Sequence, residues 1–98
     1  MKTWTKDEMK DILTRYDDQL CRAVVKIWEY QTADEQKVGE TKEHNGVGFN
    51  GTDAHILSSF AEFYKRTGFL TQKQIVIARK KMMKYAGQLC RIANGEVA

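Results

Sequence analysis

The sequence contains no proline, so no proline-induced break interrupts the helices of its 98 residues. Glycine is left as the main residue that marks where helices end. No apolar run approaches the roughly 18 residues that a membrane-spanning helix needs. The first residues also lack the apolar stretch and small-residue cleavage site of a secretory signal. We therefore expect a protein of the cytoplasm without a membrane segment.

Cysteine and histidine are scarce. The two cysteines are Cys21 and Cys90, and the two histidines are His44 and His55. Their positions give none of the usual zinc-binding spacings. Each cysteine lies inside an apolar helical pattern, where a free thiol commonly behaves as a small buried hydrophobe. The sequence therefore predicts two reduced, buried thiols and no metal site.

The groups with which enzymes do chemistry are also missing. No paired carboxylates, nucleophile with its base, or set of metal ligands can be assembled from these residues. His55 has no carboxylate or nucleophile at a suitable spacing, so we interpret it as structural. The chain has no G-x-x-x-x-G-K-[ST] phosphate-binding loop. We therefore predict that the protein is not an enzyme and has no cofactor.

Acidic residues are absent from one long part of the chain. The net charge is only +3, but residues 1–45 carry eight Lys and Arg against ten Asp and Glu, while residues 46–98 carry eight against three. From Lys65 to Gly95 there are eight basic residues and no acidic one. Such a segment favours a surface with a binding task.

The order of helices follows from caps and apolar spacing. The length and the hydrophobic content of 42% fit one domain over residues 1–98. Thr5 and Glu8 form a capping box, and apolar residues then recur at three- and four-residue steps, which predicts a helix over about 6–30. A second box at 32–35 precedes the glycines. We predict a loop over 31–52 that contains either a short helix or a bent continuation of the first.

Two further helices complete the prediction. Thr52 or Asp53 is expected to cap a helix over about 53–66, which Thr67-Gly68 ends. Thr71 is expected to cap the last helix, over about 72–94, with Gly95 as its stop. The predicted fold class is all-α, a small bundle of three main helices plus a possible short helix, with a glycine-rich loop in the middle.

The last helix has two contrasting faces at 100° per residue. An apolar stripe is predicted to be buried: Ile75, Ala78, Met82, Tyr85, Ala86, Leu89, Ile92 and Ala93. Opposite it lies a cationic ridge, by which we mean Lys73, Lys80, Lys84 and Arg91. Further basic residues lie near this ridge: Lys65, Arg66, Arg79 and Lys81. Such a surface suits a phosphate backbone, although a solvated helix face or a contact with an acidic protein gives the same pattern.

The glycine-rich loop reads Gly46-Val47-Gly48-Phe49-Asn50-Gly51, a literal G-x-G-x-x-G. The segment before it is too polar for a buried strand, and no acidic residue follows at the spacing that holds a ribose, so we do not expect a dinucleotide site. A backbone N–H group such as that of Gly48 is still suited to meet one phosphate. Most of the aromatic residues near this loop are expected to belong to the core, and Phe49 and Phe69, which lie in predicted loops, are the first two candidates for stacking on bases.

A resemblance adds to these observations. The run Asn45–Ala54, then Leu70-Thr71-x-Lys73-Gln74, and the basic stretch from Ala78 to Leu89 resemble a short module of phage, plasmid and bacterial DNA-metabolism proteins. In those proteins the module often stands beside helicase or RecA-like ATPase domains. The resemblance covers roughly the second half of the chain. It implies a role near DNA or RNA processing and supplies no catalytic residues.

These inferences predict a non-enzymatic nucleic-acid-binding accessory protein of phage or mobile-element origin. The predicted contacts come from the basic residues and the glycine loop: Lys65, Arg66, Lys73, Arg79, Lys80, Lys81, Lys84, Arg91, Phe49 and Gly48. The alternative is a protein-binding module, a homodimer, or a phage-type inhibitor of a host nucleic-acid-processing complex.

Overall fold

The computed structural model describes residues 3–38 and 48–95, with side chains described outside 32–38. Its elements are α1 (Lys6–Arg15), α2 (Asp17–Val38), α3 (Gly51–Thr67), α4 (Gln72–Met82), a 3₁₀ turn (Met83–Tyr85) and α5 (Ala86–Ala93). No strand occurs in the described part of the chain, so the predicted all-α bundle is confirmed. Within the same residues, no helix is long and apolar enough to cross a membrane.

The long first helix predicted over 6–30 is two helices. Tyr16 is extended, with φ −121° and ψ 108°, and its N–H donates to the carbonyl of Ile12 as the last bond of α1. The carbonyl of Tyr16 then accepts from the N–H of Leu20 in the first turn of α2. Asp17 and Asp18 occupy that first turn, where the positive end of the helix dipole stabilises carboxylates. One residue therefore ends one helix and starts the next without proline or glycine.

Arg79 of α4 spans this junction. Its Nε donates to the carbonyl oxygen of Leu13 at 3.0 Å, and its Nη2 binds the carboxylate of Asp17. The Leu13 carbonyl belongs to the last turn of α1, where backbone acceptors lack partners within the helix. Arg79 thus satisfies an acceptor of one helix and a first-turn charge of the next.

We expect Arg79→Met to lower the free energy of unfolding by about 1–2 kcal/mol, because it removes a charged hydrogen bond to backbone and a half-exposed ion pair. Lys80→Met is the matched control, since Lys80 is exposed and has no ion pair among the described residues. Urea denaturation at neutral pH measures both. Equal stability of the two variants would contradict the role assigned to Arg79.

Other predicted boundaries also change. The capping box predicted at 32–35 does not start a new helix, because α2 continues through it to Val38. The remainder of the predicted loop, 39–47, lies outside the described residues. Helix α3 starts at Gly51 and follows Asn50, with no side-chain cap, so the predicted capping role of Thr52 or Asp53 is wrong. Its end is confirmed, since Gly68 adopts φ 86° in the left-handed region that glycine tolerates.

The last predicted helix, 72–94, begins as expected and is then interrupted. Thr71 caps α4, with the Gln74 side chain completing a capping box. The 3₁₀ turn separates α4 from α5, and Tyr85 at the joint has φ −97° and ψ 6°. The direction of side chains in α5 is therefore not a simple continuation of α4.

The core joins all five helices. Its buried members include Leu13, Leu20, Val24, Ile27, Leu57, Ala61, Ala78, Met82, Tyr85 and Leu89. Helix α2 packs against α3 and α4, and α1 packs against α5. Cys21 and Cys90 are buried free thiols, as predicted. Most of the predicted apolar stripe is buried, although Ile92 is half-buried and Ala93 is exposed.

The two ends of the described chain meet. The backbone N–H of Trp4 donates to Asn94 Oδ1 at 2.7 Å, and Asn94 Nδ2 donates to the carbonyl of Trp4 at 3.1 Å. This pair of bonds fixes the entry into α1 beside the end of α5. The N-terminal half is therefore anchored to the same scaffold that carries the basic segment.

Candidate functional site

A buried carboxylate organises the centre of the basic segment. Asp53, in the first turn of α3, is only 2% exposed. Its Oδ2 accepts from Lys84 Nζ at 2.8 Å and from the Tyr85 hydroxyl at 2.7 Å, while its Oδ1 accepts from Lys81 Nζ at 3.3 Å. We call these four residues the Asp53 cluster. Each donor comes from the α4–3₁₀ region, so the cluster ties that region to the start of α3.

The cluster changes the acidity of two of its members. Hydrogen bonds from Lys84 and Tyr85 outweigh burial and lower the pKa of Asp53 to about 2. Burial, together with the neighbouring Asp53 carboxylate, raises the pKa of Tyr85 to about 12. At neutral pH the cluster therefore holds a charged carboxylate and a neutral phenol, the forms that this bonding pattern needs.

The described end of the glycine loop is bound to the same scaffold. The N–H of Gly48 donates to Gln88 Oε1 at 2.9 Å, and Gln88 Nε2 donates back to the Gly48 carbonyl at 3.1 Å. The N–H of Phe49 donates to Gln31 Oε1 at 2.8 Å, and that of Asn50 donates to the Tyr85 hydroxyl at 2.9 Å. Three successive backbone donors thus point into the protein.

This arrangement assigns Gly48 and Phe49 internal roles. Their N–H groups already have side-chain partners, so meeting a phosphate would require breaking those bonds. The Phe49 ring packs edge-on against Tyr85, with centroids 5.6 Å apart, and is only partly exposed. Gly46 and Val47, the first residues of the G-x-G-x-x-G motif, lie outside the described residues.

The cationic ridge is divided by internal ion pairs. Lys84, together with the neighbouring Lys81, pairs with Asp53. Arg79 pairs with Asp17 at the α1–α2 junction. Arg91 is half-buried and has interactions within the protein. Only part of the predicted positive surface is therefore left for another molecule.

Two ridge lysines stay open to solvent. Lys73 and Lys80 are exposed and form no ion pair with any described residue. They lie seven positions apart on α4, about 10 Å along the axis at 1.5 Å per residue. Lys73 belongs to the first turn of α4, next to the turn that connects it to α3.

The α3–α4 turn carries cations beside an exposed ring. The Phe69 side chain is 54% exposed and packs edge-on against Phe63 at 5.6 Å. Arg66 lies over the Phe63 ring, with Cζ 5.5 Å from the centroid. Lys65 is exposed and reaches Glu29 at 3.1 Å across the surface. We call Lys65, Arg66, Phe69 and Lys73 the turn cluster.

Two residues that sequence reasoning did not single out also stand on this surface. Val76 is 58% exposed and Ile77 is 37% exposed, on the outer face of α4. They line a shallow depression of about 570 Å³ together with Lys80, Lys81 and Lys84. On the helical wheel both residues fall among the ridge lysines, so the pattern contained this signal.

Two further features of the sequence are the lone histidine of α3 and the possible metal ligands. His55 is exposed on α3. Within residues 3–38 and 48–95, no group of three or more His, Cys, Asp or Glu side chains is placed to hold a metal ion. The fold and its surfaces define a small helical bundle with an internal charge cluster and a partly open basic face. No protein-family model, curated protein or solved structure matches the chain.

Proposed function

We propose that the protein is a non-enzymatic accessory protein that binds single-stranded nucleic acid through the turn cluster. The observation that carries this proposal is the exposed Phe69 ring, which packs edge-on against Phe63, the ring over which Arg66 lies. An aromatic face next to cations is the usual means of binding single strands without reading their sequence. The resemblance to modules of DNA-metabolism proteins, including those of phages, supports the same class.

The proposed contacts are a smaller group of the residues that the sequence singled out. The proposed strand contacts Lys65, Arg66 and Lys73 through phosphates and Phe69 through a base. Lys65 pairs with Glu29 and lies over the Trp28 ring, with Nζ 5.6 Å from its centroid. Both contacts are at an exposed site and weak, so the lysine can exchange them for a phosphate at modest cost. The other predicted contacts serve internal interactions or lie away from the turn.

The salt dependence of binding distinguishes the turn cluster from the whole basic segment. Each phosphate of a single strand that a cation of the protein contacts lowers the slope of log K against log salt by about 0.7. Three cations therefore predict a slope of about −2, and a rise from 50 to 200 mM salt weakens binding roughly fifteenfold to twentyfold. Eight cations would give a slope near −5 or −6, and a loss on the order of two thousandfold.

We expect Phe69→Ala to weaken binding of a labelled oligothymidylate about tenfold, because stacking of one base on a ring contributes about 1–3 kcal/mol. Fluorescence anisotropy at 50 mM and 200 mM salt measures the affinity and the slope. Arg66→Ala and Lys73→Ala should each reduce the magnitude of the slope by about 0.7. The same titration with RNA and with a duplex of the same sequence shows which form of nucleic acid binds more tightly.

Tyr16→Ala is the matched control for the ring. Tyr16 is exposed to the same extent as Phe69, 54%, but it lies beside Asp17 and Asp18. This variant should bind like the parent protein. Unchanged binding by Phe69→Ala, a slope near −5, or no binding at 50 mM salt would each overturn the proposal.

A protein-binding role is the second candidate, and one observation favours it. Phosphate binding does not explain why the apolar side chains of Val76 and Ile77 are exposed to solvent among lysines. Their surface lies on α4 beyond the turn cluster, so both roles fit one accessory protein.

A further inference from the structure

The outer face of α4 combines apolar area with unbalanced charge. Val76 and Ile77 are adjacent and exposed, and Lys80 follows one turn later. Lys81 and Lys84 complete the wall of the depression. Lys81 and Lys84 share the single carboxylate of Asp53, and Lys80 has no ion pair with any described residue, so the three lysines keep a net charge of two positive.

Helix formation does not explain Val76 and Ile77. Their β-branched side chains lose rotamer freedom in a helix, and Lys, Gln or Ala would form the same turn more readily. Exposure also leaves their apolar surface in water, at a cost proportional to its area. A contact that covers both residues accounts for them at this position.

The positive charge around the depression indicates which kind of partner can bind there. A second apolar helix without charge would leave the lysines partly desolvated and unpaired, which is unfavourable. A nucleic-acid strand would satisfy the lysines but gain nothing from the two apolar side chains. A segment with both apolar and acidic side chains satisfies both features.

We propose that this face docks an acidic amphipathic α-helix of a partner protein, an interaction that goes beyond the nucleic-acid binding proposed above. Two apolar side chains of the partner helix cover Val76 and Ile77. A carboxylate one turn along it meets Lys80, and a second lies beside the half-exposed Lys84, which keeps its bond to Asp53. The depression is open and its apolar residues lie within the uninterrupted helix α4, which suits one helix lying across another.

The partner helix presents a simple pattern. Residues that are three, four or seven positions apart share one face of a helix. A helix with Leu at two such positions, and Glu one turn further on each side, therefore offers apolar side chains to Val76 and Ile77 and carboxylates to the lysines. The docked pair would bury apolar surface at its centre and place its ion pairs at the rim, as in other protein interfaces.

A synthetic helical peptide tests this proposal. The probe is an acetylated, amidated peptide of about 18 residues, or five turns, with a Leu stripe bordered by Glu. It is titrated into the full-length ¹⁵N-labelled protein. We expect amide shift changes centred on Val76, Ile77 and Lys80. Peptides with Lys in place of Glu, or with Ser in place of Leu, should bind at least about tenfold more weakly.

Substitutions on the protein separate this surface from the turn cluster. Ile77→Glu and Val76→Glu should each weaken binding of the acidic peptide about tenfold, because they remove apolar area and repel its carboxylates. The helical circular dichroism should stay unchanged for both variants, and the melting temperature should stay unchanged for Val76→Glu, because Val76 is 58% exposed. Both variants should bind oligothymidylate like the parent protein, whereas Phe69→Ala should bind the peptide normally.

Three results would overturn the inference. The first is no binding of the acidic peptide at millimolar concentration, or shift changes away from the outer face of α4. The second is a parent protein that self-associates in sedimentation velocity and becomes monomeric on Ile77→Glu, which would make a second copy the occupant. The third is oligothymidylate binding that Ile77→Glu abolishes, which would assign the face to nucleic acid.

Discussion

Replacing Asp53 with Asn is expected to lower the free energy of unfolding by about 2–3 kcal/mol, which corresponds to a melting temperature roughly 10–20 °C lower for a chain of this size. The carboxylate is 2% exposed and accepts from Lys84, Lys81 and Tyr85. An amide of the same shape cannot balance the two ammonium groups. The cost stays below that of a fully buried pair because Lys84 can turn toward water.

Asp53 also makes the free energy of unfolding depend on pH. The pKa of Asp53 is about 2 in the folded protein, against an ordinary value of 3.8. The folded state therefore favours the charged form, and this contributes about 2 kcal/mol above pH 4. That contribution is lost as the pH falls from about 4 to 2. The stability difference between the parent protein and Asp53→Asn should shrink over the same interval.

Urea denaturation at pH 7, 4, 3 and 2 measures both effects. Glu62→Gln is the matched control, because Glu62 is an exposed carboxylate on the same helix. It should change the stability by less than about 0.5 kcal/mol. A double-mutant cycle of Asp53→Asn with Lys84→Met should give a coupling of about 1–2 kcal/mol. A parent protein and an Asp53→Asn variant of equal stability at pH 7 would refute the assigned role of the cluster.

The second large effect is expected for Tyr85→Phe, which keeps the buried ring and removes its hydroxyl. That hydroxyl donates to Asp53 at 2.7 Å and accepts from the N–H of Asn50 at 2.9 Å. Its loss leaves a charged acceptor with one partner fewer and frees a backbone donor, which should cost about 2 kcal/mol. Amide hydrogen exchange at Asn50 should become faster than in the parent protein.

Tyr64→Phe provides the comparison for that prediction. Tyr64 is half-buried on α3, and its hydroxyl makes no hydrogen bond with the described residues. This variant should lie within about 0.5 kcal/mol of the parent protein. If Tyr85→Phe and Tyr64→Phe were equally stable, the Tyr85 hydroxyl would have no role in holding the glycine segment.

Local signals in the sequence predicted the parts of the fold that depend on neighbouring residues. The Thr5 and Thr71 caps and the Gly68 stop rest on contacts within a few positions of each other, and the apolar stripe is visible as a local repeat in the sequence. The break at Tyr16 rests instead on a side chain more than sixty positions away, since Arg79 bonds to Leu13 with a separation of 66. Neither proline nor glycine marks that break.

The candidate site was harder to predict for the same reason. An aspartate at the start of a helix usually lies at the surface, where the helix dipole stabilises its carboxylate, so the sequence predicted a cap at Thr52 or Asp53. Its burial depends on Lys81, Lys84 and Tyr85, which are 28 to 32 positions further along the chain. A helical wheel identifies which lysines share a face, but it does not show which of them find an internal carboxylate.

The proposed function requires nucleic acid to bind at the turn cluster, and one measurement tests that location directly. The full-length ¹⁵N-labelled protein is titrated with oligothymidylate at 50 mM salt, and amide shift changes are mapped onto the chain. We predict the largest changes between Lys65 and Lys73, with little change at Gly48 to Asp53. Changes concentrated at Gly48 to Asp53 and at Lys84 to Arg91, or no changes at all, would contradict the account.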